Sequence, residues 1–157
     1  MINQNKSLIA AIAVLVLTIV TAVGVRLWLV SEPSATATAP LDTACDLQAG
    51  LCTSTIPGGG RIQLGIAPHP IPLLRPMKLV VTVEGLDARM VEVDFVGVEM
   101  NMGYNRYTLK AQGNGQYSSE ATLPVCISGR MAWQASVIVT TRKIKAVAPF
   151  RFITSHD

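Results

Sequence analysis

The sequence predicts an all-β fold: an immunoglobulin-like β-sandwich of about seven strands behind one N-terminal transmembrane helix. Three observations support this. Residues Ser7 to Val25 form a 19-residue stretch without a charge. From Arg61 onward, short runs of β-branched and apolar residues are divided by turn residues. After the first segment, no run of about ten residues carries the apolar period of an amphipathic helix.

The N-terminal segment, residues 1–30, reads as a membrane anchor. At about 1.5 Å per residue, a helix over the charge-free stretch comes close to the roughly 30 Å of a bilayer's hydrocarbon core. The apolar run from Leu8 to Val30 is broken only by Arg26, beside Trp28, where a snorkelling, interface-anchoring pair would sit. A cleaved signal peptide normally has an apolar region of only about 7–15 residues. The small residues Ala35 to Ala39 lie too far downstream to be its cleavage site, and Asp42 stands where a lipoprotein box has an aliphatic residue. Lys6 and Arg26 flank the two sides, so basic residues nearly tie in setting orientation. The short N-terminal tail and the cysteines favour a C-terminal domain in the periplasm, hence a single-pass inner-membrane protein.

Residues 31–60 read as a linker carrying Cys45 and Cys52. Ser31 to Pro40 alternates Ala and Thr around no apolar period, and Pro57-Gly58-Gly59-Gly60 closes the stretch. Residues 61–157 form the β-domain, with strands expected at about 61–67, 77–85, 90–102, 106–113, 116–124, 131–142 and 145–154. Gly85-Leu86-Asp87-Ala88 and Gly113-Asn114-Gly115 read as hairpin turns, because Gly and Asn tolerate the positive φ that such turns need.

Of 13 Lys+Arg and 10 Asp+Glu, only Lys6 and Arg26 precede Glu32, leaving 11 against 10 in the remainder. That near-neutral balance, with no basic stripe, argues against a nucleic-acid partner. No catalytic constellation is evident. The glycine run precedes a strand rather than opening a helix, and only His69 and His156 could serve a nucleophile. Glu92 and Asp94 share a strand face and read as a solvated pair. The chain does not read as an enzyme.

Three cysteines allow one disulfide and one leftover thiol. Cys45 and Cys52 are the local pair. Their spacing exceeds the two to four residues usual between paired zinc-ligand cysteines, and a disulfide is favoured over free thiols or metal ligation. Cys126 is then the odd cysteine.

The methionines sharpen its reading. On a strand, Met100 and Met102 would share a face. Short connections would bring Met77, Met100, Met102, Cys126 and Met131 to one end of the domain, with His69 able to approach. Met90 would lie at the other end, about 33 Å away. Thioethers with a thiolate select Cu(I), making Met100, Met102, Cys126 and Met131 a candidate ligand set. Methionine is equally an adaptable filler of core gaps and free cysteine a small buried hydrophobe, so packing alone is the competing reading.

The segment Met100-Asn101-Met102-Gly103, followed by Gly113 to Tyr117, Leu123-Pro124 and Gly129 to Ala135, resembles membrane-anchored YtkA-like and FixH-like domains. The resemblance covers roughly residues 77–142. It implies a single N-terminal helix carrying a small immunoglobulin-like domain, with copper handling or assembly of haem–copper oxidases as its role. Only Met100 and Met102 carry over as metal ligands, and Cys126 and the Cys45/Cys52 pair depart from the pattern. Two functions follow as expectations: an extracytoplasmic Cu(I)-binding accessory protein, or a metal-free interaction module docking on a membrane complex. Redox work by Cys45 and Cys52 is a weaker third, since their spacing is not C-x-x-C.

Overall fold

The computed structural model describes residues 2–29, 35–100, 103–124 and 129–155. The chain divides into two compact units, Met1–Glu32 and Pro33–Asp157.

The first unit is one helix, α1 (Ile2–Leu29), of 28 residues with Arg26 in its last turn. A cation there complements the partial negative charge of the helix C-terminus. The Thr18 hydroxyl donates to the Leu15 carbonyl, and the Thr21 hydroxyl to the Leu17 and Thr18 carbonyls. Among the described residues, no helix is long and apolar enough to cross a membrane.

The second unit is β-rich, with nine described strands: β1 (Ala35–Thr38), β2 (Cys52–Thr55), β3 (Arg61–Ala67), β4 (Met77–Glu84), β5 (Met90–Gly97), β6 (Arg106–Gly113), β7 (Gln116–Ala121), β8 (Arg130–Thr140) and β9 (Ile144–Ser155). They form one mixed sheet in the order β1-β9-β8-β5-β6-β7-β4-β3-β2. Among the nine described strands, β1 and β9 pair in parallel and the other pairs are antiparallel. The strands expected from Arg61 onward are present, and β1 and β2 are additional. Both lie in the stretch read as linker, which is therefore part of the sheet rather than a tether.

The sheet curls at β6. Residues 106–109 pair with β5, whereas Lys110, Ala111 and Gly113 pair with β7 across a bulge at Gln112. The bulge and the change of partner turn one half of the sheet back over the other. Alternate side chains of both halves then meet in a single core. Trp133 and Phe95 are its largest fully buried members. Phe95 packs edge-on against Tyr107 and Phe152, with ring centroids 6.1 and 6.2 Å away. The Trp133 indole N–H donates to Thr154 Oγ1 at 3.0 Å, which satisfies a donor that burial would otherwise leave costly. Tyr107 fastens the chain where it leaves β7: its hydroxyl donates to the Thr122 carbonyl at 2.8 Å and accepts from the Thr122 amide at 3.2 Å.

One expected turn has a different role. Gly113-Asn114-Gly115 is a hairpin, with φ of 98°, 52° and 73°. At Gly115 a Cβ would come within 2.6 Å of the Val83 carbonyl oxygen, so only glycine fits. Gly85 to Ala88, by contrast, does not join paired strands. β4 pairs with β3 and β7, and β5 with β6 and β8. This link is an arch between the halves of the sheet. Turn residues show where the chain reverses but not which strand it pairs with next.

Cys45 and Cys52 form a disulfide. Cys52 is fully buried on β2, so the bond ties the segment before β2 to the core. Closing a loop of about eight residues contributes roughly 2–3 kcal/mol in the chain-entropy model. Cys45→Ala with Cys52→Ala is expected to lower unfolding free energy by about that amount in urea melts, with unchanged β circular dichroism. A loss under about 0.5 kcal/mol, within the range of ordinary surface changes, would contradict this role.

Candidate functional site

The sulfur-bearing end is set by register. Gly97 lies opposite Trp133, Asp94 opposite Arg106, and Met77 opposite Ala121. The start of β4, the end of β5, the start of β6, the end of β7 and the start of β8 therefore share one end of the domain. Met90, opposite Thr140, marks the other.

The candidate ligands divide within that end. Met131 is in phase with Trp133 and Ala135 on β8, and only 5% exposed, so its thioether is part of the core. Met77 is likewise buried. Met100 is 45% exposed and lies past the end of β5, which stops at Gly97 rather than continuing to Met102. The strand alternation that would place Met100 and Met102 on one face thus does not apply. Met102 and Cys126 lie outside the described residues. A metal held at Met100 could use Met131 only if that side chain left the core. Among the described residues, no three His, Cys, Asp or Glu side chains cluster as a metal site.

His69 belongs to the proline-rich connection between β3 and β4, which reaches the same end. Gln48 holds that connection: its Nε2 donates to the Ile153 carbonyl at 2.7 Å, and its Oε1 accepts from the Ile71 amide at 2.9 Å. A cleft of about 680 Å³ lies alongside, lined in part by His69, Arg75 and Ser155. His69 itself is exposed.

Exposed apolar side chains stand at this end beside the exposed Glu99, Arg130 and Arg151. Val96, Val98, Met100 and Ile153 are each more than 40% exposed. The Val98 amide donates to the Ala132 carbonyl at 2.9 Å, and Ala132 lies opposite Ile153. Val98, just past the end of β5, Ala132 on β8 and Ile153 on β9 therefore form an apolar row. Its sequence signal is a change of phase. Val91, Val93 and Phe95 point inward, so Val96 and Val98 must point out.

Polar groups border the row. Arg106 Nη2 donates to Asp94 Oδ2 at 3.0 Å, and the guanidinium lies 5.5 Å from the centre of the exposed Tyr104 ring. The hydrogen bond to Asp94 is the main cause of a raised Arg106 pKa; burial opposes it, and the charge of Asp94 adds to it. A base whose folded pKa is raised stabilises the fold fully below its unfolded pKa and loses that stabilisation only as pH rises through the folded value. Arg106 therefore stays charged, and the pair holds Tyr104 beside the row at neutral pH. Arg106→Gln is expected to cost roughly 1 kcal/mol, with the difference from wild type constant between about pH 6 and 9 in denaturant titrations. A difference that shrinks within that window would show that another group sets the interaction.

No protein-family model, curated protein or solved structure matches the chain.

Proposed function

We propose that this protein is a single-pass inner-membrane protein whose β-domain stands in the periplasm and docks, without a bound metal, on a membrane protein complex. The observation that carries this reading is the exposed apolar row of Val98, Ala132 and Ile153, extended by Val96 and Met100 and bordered by Tyr104 and Arg106. Contiguous apolar surface rimmed by polar groups marks protein contact sites, and Tyr, Met and Arg are enriched there. In this role the domain is an accessory module and carries out no catalysis.

The anchor rests on α1. Its 28 residues amount to about 42 Å of helix. From residue 11 to residue 25 its side chains are exposed and, Thr18 and Thr21 apart, apolar or glycine, and a helix of that kind needs apolar surroundings. The threonine hydroxyls on it are bonded to backbone carbonyls and present no unmet polar group to lipid. The disulfide supports an oxidising compartment. The curl of the sheet around one core supports an immunoglobulin-like sandwich as the finer architecture.

A second reading is favoured by one observation. Met100 is exposed at the end where the sequence also leads one to expect Met102 and Cys126, both outside the described residues. Thioether and thiolate ligands together would suit Cu(I) exchange with a partner, and a role in haem–copper oxidase assembly belongs with this reading.

Docking is tested by placing a photo-crosslinking amino acid at Val98 in the full chain and irradiating native membranes. The expected result is one discrete adduct that is lost when Val96→Asp and Ile153→Asp are introduced together. Absence of an adduct, or one indifferent to those changes, would overturn the reading.

A further inference from the structure

At the end of the domain opposite the sulfurs, the register places the entry of the chain. β1 runs parallel to β9 with Ala35 opposite Ile144, so the polypeptide arrives beside the turn that joins β8 to β9. That turn is held rigidly. The Thr141 amide donates to the Ile144 carbonyl at 2.9 Å, and Thr141 Oγ1 accepts from the amides of Lys143 and Ile144 at 3.1 and 2.9 Å. Arg142 and Lys143 are thereby fixed and exposed at its tip. The arch between β4 and β5 is locked beside it, because the Arg89 amide donates to the Thr140 carbonyl at 2.8 Å. Between turn and arch lies a depression of about 480 Å³, lined by Leu86, Asp87, Arg142, Lys143 and Ile144 among others.

Charge is unevenly distributed here. Arg89, Arg142, Lys143 and Lys145 stand against Asp87, and among the described residues none of the four is in an ion pair. The nearby Arg61 is offset by Glu84 at 3.5 Å. Met90, 42% exposed, and Leu86, partly buried, add apolar surface among the cations. The domain as a whole is close to neutral, so this end concentrates positive charge where the chain enters.

We infer that this basic end docks on an anionic lipid surface, with a lipid phosphate seated between the arch and the β8–β9 turn. The inference rests on the anchor reading and adds a second contact to it. Cations held close to a lipid surface are attracted by its negative potential, and salt screens that attraction within about a Debye length. The hydrogen-bonded turns present the charges without a further backbone ordering cost. The apolar row then faces away from the lipid, toward a partner that extends above the membrane.

The test uses the full chain in lipid nanodiscs of phosphatidylcholine alone or mixed with phosphatidylglycerol, read by amide hydrogen exchange. Residues 85–89 and 141–145 are expected to exchange several-fold more slowly in the anionic discs only. The difference should vanish at high salt, and in a variant carrying Arg89→Gln, Arg142→Gln and Lys143→Gln whose remaining exchange pattern shows an intact fold. Retention of the chain in both discs, with equal exchange at these turns, would overturn the docking and leave the anchor standing. Failure of the chain to remain in either disc would remove the anchor, and this inference with it.

Discussion

The structure depends on β6 changing partner partway along its length. Its first residues belong to the ladder with β5 and its last to the ladder with β7. Because one strand serves both, the two halves of the sheet cannot separate without breaking backbone hydrogen bonds within it. The bulge at Gln112 increases the local twist where this is needed. The grip of Tyr107 on Thr122 then holds the outgoing chain against the same strand. Trp133, Phe95 and Phe152 are buried as a consequence, since each half alone would leave an apolar face in water.

That constraint also gives the domain two unlike ends. Short, hydrogen-bonded connections fix which residues lie at each, and the parallel pairing of β1 with β9 fixes where the chain enters. The entry end is basic and held by backbone bonds in two turns. The far end carries the exposed apolar row and Met77, Met100 and Met131, with the Asp94–Arg106–Tyr104 group at its edge. The proposed lipid contact and the proposed protein contact use different surfaces of this domain.

The strands from Arg61 onward were legible because their apolar residues alternate and turn residues separate them. β1 and β2 were not. Ala35–Thr38 and Cys52–Thr55 contain no large apolar side chain, and as edge strands they need only one ladder each. The local disulfide could be read from spacing alone. The partners of β4 and β5 could not, because a glycine turn and an arch use similar residues. At the candidate site the signal for Met131 was present in its phase with Trp133, Ala135 and Val137, which marks it as core. Met100 had no such marker: whether β5 continued past Gly97 depended on its pairing, not on its composition. The outward apolar row was visible as a phase change at Val96, a weaker signal than the sulfur atoms beside it.

The central claim is that the sulfur-bearing end works as a contact surface and its methionines as apolar side chains. An anaerobic Cu(I) titration of the full chain against a chromophoric chelator tests this most directly, with Met100→Leu/Met102→Leu and Cys126→Ser variants alongside. The account predicts no tight one-to-one complex and no difference among the three proteins. A tight one-to-one complex weakened in both variants would contradict it and make the protein a copper carrier.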